Sequence, residues 1–118
     1  MEFVAYVGND KENWGQITAL VNRLEADRNI IVISKGVEGF PNSERCEFIH
    51  IDSSKPMVQM KEELMKKLKE KIGGDFEVCL SLASGNGKEH MAMLSSLLSI
   101  PVGVKLVVYT KEGIQFLS

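Results

Sequence analysis

A chain of 118 residues, 44% of them hydrophobic, holds the material for one domain built on a single core. With 14 Lys and Arg against 16 Asp and Glu, the formal net charge is −2, so there is no duplex-sized phosphate footprint and general DNA binding is not expected. No run approaches the roughly 18 apolar residues of a membrane span, and the start, MEFVAYVGND, lacks a signal peptide's basic stretch, so a cytoplasmic protein with no membrane contact is expected.

The predicted elements alternate between strand and helix. FVAYVG (3–8) is short, apolar and β-prone, and it ends on a Gly-Asn-Asp turn signal. Over 11–27, Trp14, Ile17, Leu20, Val21 and Leu24 recur at helical spacing and read as core, with Asp10 as the N-cap. NIIVIS (29–34) is a continuous apolar run, the mark of a strand covered on both faces. KGVEGFPNSER is a loop, and CEFIHID (46–52) alternates more openly, as a strand nearer a sheet edge does. His50 within it is expected to pack against a neighbour.

SSKPMVQMKEELMKKLKEKIGG predicts a helix capped by Ser53 or Ser54, with Pro56 in its first turn and Gly73-Gly74 as its stop. Met57, Met60, Leu64, Leu68 and Ile72 form its apolar stripe, and its Lys and Glu residues form a solvated face. FEVCLSLA (76–83) is a third buried strand. A helix over about 88–99 follows a Gly-rich loop, with Met91, Leu94, Leu97 and Leu98 on its apolar face, widened by Ala92 and Met93. VGVKLVVYT (102–110) and IQFLS (114–118), joined by KEG, make a terminal antiparallel hairpin. Cys46 and Cys79 sit in apolar strand-like runs with no C-x-x-C pairing, so both read as core thiols in a reducing compartment.

Strands alternating with helices of this length predict an α/β, Rossmann-like three-layer sandwich. Its central sheet has about six strands, mostly parallel, closed by the antiparallel C-terminal hairpin. The simplest right-handed topology gives a strand order near 3-2-1-4-5-6, with the reversal between the first and fourth strands. Ligands in open sheets of this kind bind beyond the carboxyl ends at that reversal. Both distinctive loops, GNDKENWG and ASGNGKEH, follow these two strands.

The second loop is neither a Walker phosphate loop nor a dinucleotide fingerprint. Lys88 is followed by Glu89 rather than by Ser or Thr, and His90 stands where a third glycine belongs. What remains is generic chemistry. Gly85 and Gly87 let backbone approach a ligand, the first N–H groups of the next helix suit an anion, and Ser84, Asn86 and Lys88 add donors. A tight turn that binds nothing has the same spacing. In the first loop, Gly8 ends the strand, Asn9 is placed to bond a base or ribose, and Asp10 to cap. Ser34, Lys35 and Gly36 end the second strand at the same rim. His90, in the first turn after the loop, is a candidate for acid–base work alongside Lys88. No Cys/His/Asp cluster has metal spacing, and neither metal nor cofactor is expected.

These features together resemble the CRISPR-associated Rossmann fold (CARF) domains: a central strand ending in a polar loop, a later strand running into a Gly-rich loop with Lys, a Met/Ala/Leu helix, and the hairpin VKLVVYTKEGIQFL. The family's turn reads Gly-Gly-Thr/Ser-Lys/Arg. Here it is Ser84-Gly85-Asn86-Gly87-Lys88, with Asn86 in place of the second glycine and Met91 about one position late. The resemblance implies a homodimer whose two loops meet near a two-fold axis and bind a cyclic oligoadenylate, a second messenger of antiviral signalling. Lys88 and the backbone of residues 85–87 would hold phosphates, and Asn9 and Asp10 would contact ribose or adenine. The candidate ligand-binding set is Gly8, Asn9, Asp10, Ser34, Lys35, Ser84, Gly85, Asn86, Gly87 and Lys88. Relatives often carry an effector domain after the sensor, for which a chain of this length has no room. The resemblance therefore implies a sensor module alone, an output supplied by a partner, or cleavage of the ring itself in a metal-independent phosphodiesterase reaction. A Rossmann-like interaction domain with no small ligand is the third reading.

Overall fold

Strand β1 (Glu2–Val7) lies in the middle of the sheet, and each of its residues is buried, as the apolar run from Phe3 to Val7 requires. The computed structural model describes residues 1–72, 77–100 and 102–118. After β1 come a single 3-10 turn (Lys11–Asn13), α1 (Trp14–Arg23), β2 (Arg28–Ser34), β3 (Cys46–Ile51) and α2 (Met57–Lys71). They are followed by β4 (Glu77–Ser81), α3 (Gly87–Ser99), β5 (Gly103–Thr110) and β6 (Gly113–Phe116). The sheet order is β3-β2-β1-β4-β5-β6, with the first five strands parallel and β6 antiparallel to β5. The expected α/β sandwich and its reversal between β1 and β4 are therefore present. No helix among the described residues is long and apolar enough to cross a membrane.

Side-chain alternation divides the core into two clusters that share no residue. Val4, Tyr6, Ile30, Val32, Val78 and Leu80 face α2 and α3, whereas Phe3, Ala5, Val7, Ile31, Ile33 and Cys79 face α1. Glu2 is buried at the amino end of β1, where Arg28 bonds both Glu2 and Glu47. Cys46 and Cys79 are free, with two strands between theirs, and burial pushes both thiols above their ordinary pKa.

Several local expectations are corrected. Helix α1 stops at Arg23 rather than running to 27, because Glu25 takes a left-handed φ of 56° without a glycine to announce it. Neither Ser53 nor Ser54 caps α2. Pro56 holds the N-cap position, and Ser54 bonds Asp52 Oδ1 instead. The stripe Met60, Leu64, Leu68 is buried as expected, while the Gly73-Gly74 stop and the Phe76 strand start lie outside the described residues. His50 is exposed, because β3 is an edge strand and α1 packs over β1 and β5 instead.

Helix α3 is rotated from the expected phase. Ala92, Met93, Ser96 and Leu97 face inward, and Met91 and Leu98 are 59% and 69% exposed. Two polar residues fix this rotation, of about one residue or roughly 100°. Glu89 points into the sheet, and Ser96 Oγ satisfies itself on the carbonyls of Ala92 and Lys61, so its hydroxyl is buried at little cost.

Candidate functional site

The loops leaving β1 and β4 meet at the reversal of strand order and are cross-linked there. Gly8 N–H donates to Ser84 Oγ (2.9 Å), and the Ser84 hydroxyl donates to Asp10 Oδ1 (2.6 Å). Gly85 N–H also donates to Asp10 Oδ1 (3.0 Å), while Asn13 Nδ2 donates to Oδ2 (2.8 Å). Asp10 is thus not the expected side-chain cap. It makes no cap bond, and its carboxylate spans the crevice instead. The reason lies in the backbone: the helical segment after β1 opens with a 3-10 turn, which Asp10 enters at φ −79° and ψ 75° with its carboxylate turned toward the second loop. Two glycines permit this closeness. A Cβ on Gly8 would lie 3.0 Å from Gly85 Cα, and Gly85 itself has φ +105°.

Burial pushes the Asp10 carboxyl up, but the bonds from Asn13, Ser84 and Gly85 outweigh it and hold the group below its ordinary pKa. A depressed carboxylate contributes stability that is complete above its unfolded pKa, about 3.9, and is lost as pH falls through the folded value. Asp10→Asn is therefore expected to be less stable than wild type at neutral pH. The gap in melting temperature should narrow steadily below about pH 4. A gap that holds constant down to pH 2 would contradict this.

Below the crevice lies a buried polar centre. Glu89 is only 6% exposed. Its Oε2 lies 3.0 Å from Tyr6 OH and 2.8 Å from Ser34 Oγ, and the two hydroxyl oxygens are 2.5 Å apart, so two hydroxyl protons serve a triangle of three contacts. Oε1 accepts from Asn86 N–H (2.9 Å), and Asn86 Oδ1 accepts from Glu89 N–H (2.9 Å), completing a capping box at the start of α3. Burial, reinforced by the neighbouring carboxylate, pushes the Tyr6 phenol far above its ordinary pKa, so it stays a neutral donor. Glu89 and Tyr6 are absent from the sequence-derived set. Asn86-x-x-Glu89 was a readable capping signature, whereas nothing in a strand marks Tyr6 as polar in role.

The remaining candidates divide. Lys88 reaches across to the β3–α2 connection, where its Nζ donates to the carbonyls of Ser53 (2.9 Å) and Lys55 (2.5 Å). His90 Nε2 bonds the Ser84 carbonyl (2.8 Å), which supports the loop from beneath. Lys35 and Gly36 are exposed, and Lys35 borders a different hollow beside Lys67 and Lys71. Trp14 is core, 8% exposed, with Nε1–H on the Gly8 carbonyl.

What the arrangement leaves open is a cleft of about 250 Å³ lined by Asn9, Asp10, Ser53, Gly85, Asn86 and Glu89. A larger concavity follows the outer side of α2 and touches neither loop. The capping box uses the N–H groups of Asn86 and Glu89, so those of Gly87 and Lys88 remain without a protein acceptor among the described residues. The lining offers the carboxylates of Asp10 and Glu89 and the side-chain amides of Asn9 and Asn86, which suit hydroxyl groups, and α3 starts at its edge with N–H groups that suit an anion. Among the described residues no three His, Cys, Asp or Glu converge as a metal cage. Compared with known protein families and with curated proteins, the chain matches none.

Proposed function

We propose that this chain is a CARF-like nucleotide-binding module that takes a cyclic oligoadenylate across a pair of chains. The observation that carries the reading is the meeting of the two polar loops at the β1/β4 reversal, cross-linked by Asp10 beside the open N–H groups of α3. Open parallel sheets hold nucleotides at this point.

Size supports the pairing. One cleft of about 250 Å³ falls below the roughly 300–1,000 Å³ of a drug-sized site, and a ring of three or more nucleotides exceeds it. Helix α3 begins at the cleft and carries Met91 and Leu98 on its outer face, with half-buried Leu94 between them. Packing this face on its copy buries the apolar stripe and sets two clefts side by side. Lys88 rests on two neutral carbonyls, which a phosphate displaces because charge-assisted bonds are roughly twice as strong.

The test is a metal-free melting and cleavage screen with cyclic tri-, tetra- and hexa-adenylate. The expected result is a rise of several degrees with one ring left intact, since a ligand that binds only the native state stabilises it. Lys88→Ala should weaken binding roughly 10- to 100-fold, the size of a lost charged hydrogen bond. Breakdown of the ring makes the chain a phosphodiesterase working at the same loops. No shift with any ring leaves a Rossmann-like interaction domain.

A further inference from the structure

Helix α1 packs over β1 and β5, so the loop 35–45 folds across the neighbouring β2–β3 side and supplies Val37 and Phe40 to its cover. Phe40 meets Trp14 edge-on (5.5 Å between ring centres, 73°) and Phe48 edge-on (6.2 Å, 75°). Beside this chain of rings a cavity of about 230 Å³ stays open, with Ile33, Val37, Phe40 and Phe48 as apolar walls. Asn42 and His50 also line it, both exposed, and neither side chain has a hydrogen-bond partner among the described residues. Phe48 and His50 also border the adjoining hollow that holds Lys35, Lys67 and Lys71. Lys67 and Lys71 are engaged with Glu63 and Glu47, while Lys35 makes no direct ion pair among the described residues, with the exposed Asp52 carboxylate near enough to feel its charge and Glu70 as the one acidic residue lining the hollow.

We propose that this edge of the sheet binds a nucleoside monophosphate, with the base against Phe40 and Phe48 and the phosphate on Lys35. The site is separate from the β1/β4 cleft, and the inference does not rest on the reading of that cleft. Aromatic walls favour a flat ring, which stacks or meets them edge-on. The volume admits one ring system and no more, being below a drug-sized site. Asn42 and His50 each offer a donor and an acceptor, matching the in-plane edge of a nitrogen heterocycle better than an aliphatic chain. A sugar alone would leave the apolar walls unmatched, and the adjoining hollow, lined by three lysines and one glutamate, favours an anionic tail.

The test uses the intact chain, adenosine monophosphate as probe, and the emission of Trp14, the single tryptophan, which touches Phe40. Saturation-transfer NMR of the nucleotide gives a second readout. The expected result is a saturable change that adenosine produces roughly 5- to 10-fold more weakly, a difference Lys35→Ala removes. Asn42→Ala and His50→Ala, both at exposed positions that leave the fold intact, should each weaken binding about 3- to 10-fold, while Lys88→Ala leaves it unchanged. Three outcomes overturn the proposal: no saturable response by either readout, an equal response to ribose 5-phosphate, or a response lost in Lys88→Ala and kept in the Asn42 and His50 variants. The last would place the nucleotide in the cleft, overturning this site while supporting the other.

Discussion

Glu89→Ala is expected to lower the unfolding free energy by about 3 kcal/mol, a drop of roughly 10–15 °C in melting temperature. The carboxylate is buried and receives Tyr6, Ser34 and the Asn86 amide, joining β1, β2 and α3 through one side chain. Its removal leaves a buried hydroxyl proton without an acceptor and breaks the reciprocal half of the capping box, about 1–3 kcal/mol for the first and about 1 for the second. Tyr6 and Ser34 still bond each other, which limits the loss. Glu89→Gln keeps the shape and one acceptor for the Asn86 amide, so it should cost only about 1 kcal/mol. Tyr6→Phe combined with Glu89→Ala should cost less than the sum of the two, because both changes remove the same contact. Chemical denaturation measures all of this, and additivity would show that the centre does not act as a unit.

The second large effect is expected at Gly85. Its φ of +105° disfavours any side chain, and a Cβ there would sit 3.0 Å from Tyr6 Cδ1 and 3.2 Å from His90 Nε2. Backbone strain of about 1–3 kcal/mol adds to a comparable overpacking cost, so Gly85→Ala should destabilise by about 2–4 kcal/mol. Two other glycines separate the causes. Gly36 has φ +88° but open space around it, so its Ala variant bears strain alone, about 1–2 kcal/mol. Gly87 has neither strain nor crowding, and Gly87→Ala at the first position of α3 should change stability by under about 0.5 kcal/mol. Comparable losses at Gly36 and Gly85 would mean that contact with Tyr6 does not matter.

The architecture was legible because the three central strands are short apolar runs and most connections are long enough for helices. The order around β1 followed from right-handed crossovers and the simplest placement of the first and fourth strands side by side. The site was legible only in outline. Asp10 meets Ser84 across 74 positions of sequence, and Tyr6 meets Glu89 across 83. No local pattern encodes such pairs, so the sequence offers Asp10 as a cap or a ligand contact and leaves Tyr6 as one more residue of an apolar strand. The phase of α3 was hidden for a related reason. Met91 and Leu98 are as apolar as Met93 and Leu97, and the inward Glu89 carboxylate and Ser96 hydroxyl decide which set is buried. The capping box was the one part of the centre with a local signature, Asn86 followed three residues later by Glu89.

The most direct measurement is calorimetric titration of the purified chain with cyclic tetra-adenylate, with the tri- and hexa-adenylate rings run alongside. Saturation at one ring per two chains is predicted, with affinity falling at least about tenfold in Lys88→Ala. The ring should also bind more weakly in Leu98→Glu, which puts a charge on the outer face of α3. No heat with any ring, or binding indifferent to both substitutions, would contradict a nucleotide held between two chains at the β1/β4 crevice.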